Sequence, residues 1–389
     1  MIARCFQPRP RPLRPGEKAV VLLTGTFYSE NWIAAHLRPL AASRRCRKVY
    51  VVSTYPIPAT PKVVPIYPPR WLCRLLGAVP ARLLTFVWAA LTLRPQVIGG
   101  FHLLVNGLLA APLARLVGAR SLYFCVGGPT EVLDGGIWAE NRLFGLMKTP
   151  DPAIERMLIK AIGEFDLVVT MGRRAVTFFQ QRGVRARFQV ISGGIDADRF
   201  HNGDPAPVCD LVLVGRLAPI KRVDLFLRAV GAVSQHVPTV SATIVGDGVL
   251  RPQLEELARD LHVAERVRLV GQQRDVEKWL RQSRIFVLTS DSEGLALSLM
   301  EAMMCGLPAV VSDVGELGEL VEPGVSGQLV KERSPEAFAA PLVELLSNPA
   351  QYAAYSTAAR RAALRHEVRN VRGKWDETLD GLLENGARS

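Results

Sequence analysis

The stretch SDSEGLALSLMEAMMCG occupies residues 290–306. It follows an apolar run at 285–288 that predicts a buried strand, and it opens a helix that a Gly-Leu-Pro sequence then ends. The pattern places Glu293 on the turn between strand and helix, and Glu301 eight positions later inside the helix. A strand that runs through a short turn into a helix is the unit from which α/β folds are built.

The start of this helix is suited to an anion. The first backbone N–H groups of a helix have no partner within it, and the helix dipole attracts negative charge there. Gly294 and the small Ala296 leave room for a ligand to reach this backbone. Because two carboxylates would repel a phosphate, we interpret Glu293 and Glu301 as acceptors for neutral hydroxyls. A ligand with a pyrophosphate and several hydroxyls is a nucleotide sugar; the alternative is an ordinary helix with one exposed acid.

A second motif, VGRLAPIKR at 214–222, places two cations on one loop between a strand and a helix. Gly215 ends the predicted strand, and Arg216 and Lys221 stand five positions apart across the turn. Arginine offers a planar fork and lysine a point charge, so together they suit a pyrophosphate. Each charge-assisted contact contributes about 1.5–3 kcal/mol. The alternative is a pair of solvated basic residues on an exposed loop.

The two motifs together resemble those of the retaining glycosyltransferases of family four, a group 1 family with an E-x7-E signature. The resemblance implies that Glu293 is a catalytic residue that contacts the donor sugar, and that Glu301 holds the ribose hydroxyls. It implies that Arg216 and Lys221 hold the donor phosphates. The other donor-binding residues that it implies follow Glu293 directly: Gly294, Leu295, Ala296 and Leu297. The expected reaction moves a sugar from a nucleotide-sugar donor with retention at the anomeric carbon, and no metal or other cofactor is expected.

The resemblance implies the GT-B fold, an α/β class with two Rossmann-like domains whose parallel sheets face a central cleft. Alternating apolar and helical patterns predict parallel strands in both halves. Strands are predicted at 19–23, 49–52, 97–100, 121–126, 167–170, 188–191, 210–214, 242–245, 267–269, 285–288 and 309–312. A linker-like composition at 202–207 sets the boundary. The predicted segments are a basic, proline-rich tail at 1–18, an acceptor-binding domain at 19–203, a nucleotide-sugar-binding domain at 204–366, and a C-terminal helix at 367–389 that packs back toward the first domain.

Two positions in the first half match cleft residues of the family. Gly25 and His102 each follow a predicted strand, and α/β folds bind ligands beyond the carboxyl ends of their strands. The resemblance implies that Gly25 contacts the donor and that His102 is catalytic; an isolated histidine would otherwise be structural. A leucine pattern at 103–116 predicts a helix directly after His102. Thr130 and Glu131 are candidate acceptor contacts.

Basic residues are concentrated in the first half of the chain. Residues 1–205 contain 27 Lys and Arg against 12 Asp and Glu, whereas the rest contains 21 against 24. Such a field indicates an anionic partner. No nucleic-acid recognition motif is present, so nucleic acid is not expected. We expect an anionic membrane surface, where each basic residue contributes about 1 kcal/mol, and a lipid-linked saccharide or glycolipid acceptor at the cytoplasmic face.

The segment at 70–94 mixes tryptophans and leucines with arginines. Its apolar run at 83–93 has 11 residues, too few to span a bilayer, and no signal-peptide pattern is visible. A core helix of the first domain and a surface helix that dips into a membrane interface both remain open. The six cysteines are scattered without a C-x2-C pair, which argues against a zinc site or disulfides and fits a reducing cytosol.

Two alternative functions remain compatible with these motifs. A GT-B nucleotide-sugar epimerase would act on the donor without an acceptor. A non-catalytic nucleotide-sugar-binding partner of another transferase would keep the fold without turnover. The set of motif residues argues against the non-catalytic partner, because such a protein has no need of both carboxylates, both cations and the histidine.

Overall fold

The computed structural model describes residues 17–27, 29–136, 149–203 and 207–384. The chain forms two compact units. The first comprises the residues up to Gly194 together with those from Val368 onward, and the second runs from Ile195 to Glu367. The chain therefore passes between the units twice.

A parallel sheet of seven strands forms the centre of the first unit. Its strands are β1 (Ala19–Thr24), β2 (Cys46–Val52), β3 (Val63–Ile66), β4 (Val97–Phe101), β5 (Arg120–Cys125), β6 (Leu167–Thr170) and β7 (Phe188–Val190). Their spatial order is β3-β2-β1-β4-β5-β6-β7. Because the order reverses between β1 and β4, the loops that follow these two strands lie at the switch point where such sheets bind ligands.

Among the described residues of the first unit, six helices follow or connect these strands. They are α1 (Glu30–Ala42), α2 (Arg70–Leu76), α3 (Ala78–Leu93), α4 (Leu108–Val117), α5 (Pro152–Ile162) and α6 (Arg173–Gln181). Local chemistry sets several of their ends. Ser29 accepts from the Trp32 N–H at the start of α1, and Asp151 accepts from the N–H groups at the start of α5. Such caps satisfy backbone donors that the helix itself leaves without partners.

A parallel sheet of six strands forms the centre of the second unit. Its strands are β8 (Cys209–Val214), β9 (Ala242–Val245), β10 (Val267–Leu269), β11 (Ser283–Leu288), β12 (Ala309–Ser312) and β13 (Gly327–Val330). The spatial order is β10-β9-β8-β11-β12-β13. Here the order reverses between β8 and β11, and these are the strands that the two sequence motifs follow.

Six helices cover the second sheet. They are α7 (Val223–Ser234), α8 (Arg251–Asp260), α9 (Val276–Arg281), α10 (Leu297–Met304), α11 (Pro335–Ser347) and α12 (Pro349–Ala363). Phe226 of α7 and Phe338 of α11 are fully buried in one apolar cluster with Leu213 and Ile285 of the sheet. Burial of this kind contributes about 1.5–3 kcal/mol for each large apolar side chain.

The final helix, α13 (Val368–Glu384), belongs to the first unit and packs on α1. Its Trp375 is fully buried. Its Asp376 accepts from the Ser43 hydroxyl and from the Arg44 N–H, each at 2.7 Å. These hydrogen bonds fix the end of α1 to a segment more than 330 residues away in sequence.

The change of unit lies nine residues before the boundary predicted from the linker composition, at 194/195 rather than 203/204. Residues 195–203 make contacts within the second unit. The Ile195 N–H donates to the His366 carbonyl at 2.8 Å, and Arg199 pairs with Glu277 at 2.8 Å. Residues 1–16 of the predicted tail and 204–206 of the predicted linker lie outside the described residues.

Two strands and one helix start differ from the sequence prediction. The edge strands β3 and β13 were not expected, because β3 contains Pro65 and β13 begins with Gly327, both unfavourable in strands. An edge strand tolerates them because it needs only one partner. The helix predicted directly after His102 is wrong at its start: α4 begins at Leu108, and Val105 has a φ of 66° that no α-helix accommodates.

The described residues contain no helix that is long and apolar enough to cross a membrane.

Candidate functional site

The two motif loops of the second unit lie side by side. One follows β8 and the other follows β11, as the switch point requires. The Asp291 N–H donates to the Ile220 carbonyl at 2.9 Å, and the Thr289 hydroxyl donates to the Arg222 carbonyl at 2.7 Å. These hydrogen bonds hold the backbones of the two loops together, although the sequence separates them by about 70 residues.

An ion pair joins the two loops at their centre. The Lys221 ammonium lies 2.6 Å from Oε1 of Glu293, and both side chains are mostly buried. The Ser290 hydroxyl donates to the same Oε1 at 2.6 Å. Behind the loop, a side chain at Gly315 would overlap the Glu293 carbonyl, and the Glu316 N–H donates to the Gly294 carbonyl at 3.1 Å. The structure therefore brings together a predicted phosphate-binding cation and a predicted sugar-binding carboxylate.

The two other basic residues of the first loop differ in their surroundings. Arg216 is exposed. Arg222 has a φ of 47° and pairs with Asp224 at 3.0 Å. Burial of Asp224 alone would raise the pKa of its carboxyl, but the hydrogen bonds and charge of Arg222 outweigh burial and hold that pKa below its usual value. Arg222 thus forms an ion pair with the first turn of α7. Arg216 and Lys221 remain the predicted phosphate contacts.

The segment between Glu293 and α10 offers its backbone to the loop region. Leu295 and Ala296 are buried, whereas Gly294 and Leu297 are half-buried. Ala296 precedes α10 and supplies no side-chain cap to the first N–H groups of the helix. Glu301 lies one turn further into α10, as predicted, and its carboxyl is buried. Burial raises the pKa of Glu301 to about 8; the nearby Arg199 opposes this shift and Glu277 adds to it.

Gly25 and the segment that contains His102 follow the neighbouring strands β1 and β4, and so lie at the carboxyl-terminal edge of the first sheet. Thr24 of β1 and Gly100 of β4 are partners in the register. A side chain at Gly25 would lie 2.9 Å from Cβ of Phe101, so this position needs a glycine for close packing. Close packing is by itself a sufficient reason for a glycine here, and the donor contact of Gly25 remains a prediction.

Arg82 of α3 is a feature of this edge that the sequence did not indicate. Its buried guanidinium donates to the Thr24 hydroxyl at 2.7 Å and to the Asn106 side-chain oxygen at 2.8 Å. The amide of Asn106 in turn donates to the Phe101 carbonyl at 2.7 Å. These contacts join the end of β1 to the irregular turn that follows β4. A single arginine in an apolar helical pattern was the only sequence signal.

His102 has a backbone conformation that is unusual for a residue with a side chain. Its φ is 63° and its ψ is 143°. Nδ1 of its ring lies 3.2 Å from Oε1 of Glu131. Glu131 was predicted to contact an acceptor, but its carboxylate is buried and points to His102 instead. The predicted roles of Thr130 and of His102 itself remain predictions; the Thr130 hydroxyl donates to the Gly127 carbonyl at 2.7 Å.

Within the described ranges, no three His, Cys, Asp or Glu side chains converge as metal ligands. The site residues fall into two groups, one in each unit. Gly25, His102 and the candidate acceptor contacts Thr130 and Glu131 belong to the first unit, and the other predicted site residues belong to the second.

Comparison with known proteins finds matches for the region that contains both motifs. Residues 209–348 match the family described as Glycosyl transferases group 1. The D-inositol 3-phosphate glycosyltransferase of Thermobispora bispora is 31% identical over 271 residues, which are 62% of this chain and 62% of that protein. The enzyme of the same name from Rhodococcus opacus is 31% identical over 264 residues, 61% of this chain and 56% of that protein. The chain thus spans about three fifths of the length of these relatives.

Solved structures resemble most of the chain. Anabaena Alr3699/HepE in complex with UDP-glucose superposes with a TM-score of 0.71 at 20% identity, covering 93% of this chain and 100% of that one. Sucrose-phosphate synthase from Thermosynechococcus elongatus gives a TM-score of 0.72 at 17% identity, covering 95% and 100%. The predicted GT-B fold is confirmed. Residues 209–348 are similar to the group 1 glycosyl transferases.

Proposed function

We propose that the protein moves a sugar from a nucleotide-sugar donor to an acceptor with retention at the anomeric carbon. The observation that carries this proposal is the contact of Lys221 with Glu293 at the switch point of the second sheet. A cation and a carboxylate side by side suit a ligand whose phosphate lies next to a hydroxylated ring. Both residues lie within the region that matches the glycosyl transferases.

The predicted site residues of the second unit have the following proposed contacts with the donor. Lys221 and Arg216 hold the diphosphate, together with the first N–H groups of α10. Glu293 accepts from the sugar hydroxyls and Glu301 from the ribose hydroxyls. His102 of the first unit contacts the donor sugar.

The proposed reaction replaces one bond at the anomeric carbon on the same face of the sugar. The bond to the diphosphate oxygen breaks, the bond to the acceptor oxygen forms, and the acceptor proton passes to the departing phosphate. Negative charge grows on the diphosphate as it leaves. Cations fixed beside it stabilise that charge without having to reorganise, which is how preorganised electrostatics lowers a barrier.

A panel of UDP-, GDP- and ADP-sugars tests the donor assignment through protection against thermal unfolding. A true donor at 100 times its Kd stabilises the protein by about 2.7 kcal/mol. Transfer is then assayed with lipid-linked saccharides, glycolipids and D-inositol 3-phosphate, the compound for which the relatives are named, and proton NMR of the product reports the anomeric configuration. An inverted product excludes retention, isomerised donor without acceptor indicates an epimerase, and protection without any turnover indicates a non-catalytic partner.

We further propose that the protein works at the cytoplasmic face of an anionic membrane on a lipid-linked saccharide or glycolipid. The support is a surface formed by α2 and α3, which we name the α2–α3 face. It exposes large apolar side chains, with Trp71 65% and Trp88 59% exposed. The other exposed apolar residues of this face are Leu75, Leu76, Val79, Leu84 and Leu91.

The helical spacing shows that this exposure is organised. Leu84, Trp88 and Leu91 lie four and three positions apart and so share one side of α3. The opposite side of α3 is buried and includes Phe86. The segment at 70–94 therefore contributes to the core through one side of α3 and to the surface through the other side.

The charge around the α2–α3 face fits an anionic surface. Residues 31–130 contain 12 Lys and Arg and no Asp or Glu. Arg70, Arg74 and Arg94 on and beside the face are exposed. Aromatic and aliphatic side chains bordered by arginines are typical of helices that lie in the headgroup region of a bilayer.

Replacing both Trp71 and Trp88 by serine is expected to weaken binding to vesicles of mixed neutral and anionic phospholipid by about tenfold or more. Each replacement removes an indole, whose apolar area contributes about 25 cal/mol per Å² when it is buried. Co-sedimentation measures the partition coefficient. Met157→Ser is the matched control: Met157 is exposed on α5, whose buried residues pack in a different cluster. Equal binding to neutral and anionic vesicles, or an equal loss in the control, contradicts the proposal.

A further inference from the structure

The carboxylate of Glu131 lies in the first unit, on a 3-10 turn at Gly128–Glu131 that follows β5. Glu131 as a whole is only 3% exposed. A buried charge is costly unless hydrogen bonds satisfy it. The surroundings of this side chain therefore show what the fold uses it for.

Both oxygens of Glu131 accept from two donors. Oε1 lies 3.2 Å from the ring nitrogen Nδ1 of His102 and 2.7 Å from the Gly127 N–H. Oε2 lies 2.7 Å from the Leu103 N–H and 2.8 Å from the Tyr123 hydroxyl. Two of the four donors therefore come from His102 and the residue that follows it.

These contacts keep Glu131 ionised. Burial alone would raise the pKa of its carboxyl, but the charge that the His102 ring carries when protonated, the hydrogen bond from that ring and the N–H groups of Gly127 and Leu103 outweigh burial and lower that pKa. Burial also raises the pKa of Tyr123 well above its usual value, so its hydroxyl stays a donor. A permanent acceptor at Nδ1 makes that nitrogen the donor of the ring. The neutral imidazole then carries its lone pair at Nε2.

Glu131 also holds the backbone beside the ring. The φ of His102, 63° with a ψ of 143°, lies in a region that costs a non-glycine residue about 1–3 kcal/mol. Strain of this size persists only where neighbouring contacts fix it, and such positions cluster at functional sites. The hydrogen bond from the Leu103 N–H to Oε2 fixes the peptide that leaves His102.

We propose that Glu131 is the positioning residue of His102: it selects the Nδ1–H tautomer and fixes the ring so that Nε2 is presented to the donor sugar. This inference rests on the proposed function, in which His102 contacts that sugar. The competing interpretation is that Glu131 only stabilises the turn after β5. The two interpretations differ in what happens to the ring of His102.

The test compares Glu131→Gln with Tyr123→Phe. Tyr123→Phe is the matched control, because it removes a different donor from the same carboxylate and leaves the ring of His102 in place. Nitrogen-15 NMR of labelled imidazoles, with His102→Ala used for assignment, reads the tautomer without any substrate. We expect the Nδ1–H form of His102 in the wild type and in Tyr123→Phe, and a substantial Nε2–H population in Glu131→Gln. An unchanged tautomer in Glu131→Gln overturns the proposal.

Kinetics supply the second readout. Glu131→Gln is expected to lower kcat about tenfold, less than the roughly 100-fold or greater loss on removing a group that stabilises the developing charge itself. Donor KM should stay within about twofold, because the donor-binding residues of the second unit are intact. In a His102→Ala background the same substitution should add less than twofold, since Glu131 acts through His102. Losses that multiply in the double variant indicate a purely structural role.

Glu131→Asp keeps the charge but draws the carboxylate back by one methylene, and it serves if Glu131→Gln does not fold. It should disturb the tautomer and lower kcat while its thermal stability stays close to that of Tyr123→Phe. A wild-type tautomer and kcat in Glu131→Asp count against the proposal. If no nucleotide sugar binds or reacts, the proposed function fails while the tautomer measurement still decides whether Glu131 sets the state of His102.

Discussion

Lys221→Ala is expected to weaken binding of the donor's nucleoside diphosphate, UDP if the panel identifies a UDP-sugar, by about 1.5–3 kcal/mol, or about 10- to 150-fold, because it removes a charge-assisted contact with the diphosphate. Glu293→Gln is expected to strengthen UDP binding and to abolish sugar transfer. In the structure the two side chains neutralise each other at 2.6 Å. A diphosphate must compete with Glu293 for the lysine, so removing that carboxylate charge frees Lys221 and removes a repulsion.

Isothermal titration with UDP, which has no sugar for Glu293 to hold, measures this difference in sign. Arg222→Gln is the matched control. It removes the same charge one residue away, but that guanidinium pairs with Asp224, so UDP affinity should change by less than about threefold. If Glu293→Gln weakens UDP binding as much as Lys221→Ala does, the carboxylate supports phosphate binding and the proposed division of roles is wrong.

Raising the pH from 6 to 8 is expected to tighten nucleotide-sugar binding by close to tenfold per unit, through Glu301. The pKa of this buried carboxyl is about 8, so the free protein carries it neutral at pH 7. Ribose hydroxyls donate to the ionised form, so binding must release the proton. The dependence on pH should level off above pH 8, and the phosphodiesters of a nucleotide sugar do not titrate in this range.

Calorimetry in buffers of different ionisation enthalpy should detect the release of close to one proton at pH 7. Glu301→Gln should bind more weakly and lose most of the slope between pH 6 and 8. A wild-type slope in this variant would assign the titration to another group.

The same carboxyl has an effect on folding whose sign follows from the direction of its shift. Between the ordinary pKa of 4.5 and the folded value of about 8, the folded protein holds a proton that the unfolded chain has lost. The contribution of Glu301 is therefore fully present below pH 4.5 and falls by about 1.4 kcal/mol per pH unit up to pH 8. Glu301→Gln, which does not titrate, should gain stability relative to the wild type as the pH rises through this window.

The sequence predicted the central strands well because they are buried on both faces. Runs such as 242–245 and 309–312 are mostly apolar, are buried along their whole length, and coincide with β9 and β12. The strands β3 and β13 were missed because Pro65 and Gly327 weaken their strand patterns. The sequence did not predict the turn after β4 either, since leucine spacing alone predicts a helix where Val105 has a positive φ.

The sequence predicted which loops form the candidate site, but it did not predict which side chains pair with each other. Residues at the carboxyl ends of β8 and β11 were expected to meet, and Lys221 and Glu293 do, yet nothing in the sequence states that they pair with each other. The partnership of Glu131 with His102 spans 29 residues and depends on the turn that buries the carboxylate. Glu131 was expected to contact an acceptor, whereas the structure places its carboxylate against the ring of His102.

The return of α13 to the first unit affects the order in which the protein forms on the ribosome. The first unit lacks its Trp375-bearing helix until all 173 residues from Ile195 to Glu367 have been synthesised, a delay of about 9–35 s at ordinary rates of translation. The second unit, continuous in sequence, can complete its own core in that interval. Synthesis therefore favours a middle-first order of maturation, and a nascent chain arrested before α13 presents the uncovered side of α1 to chaperones.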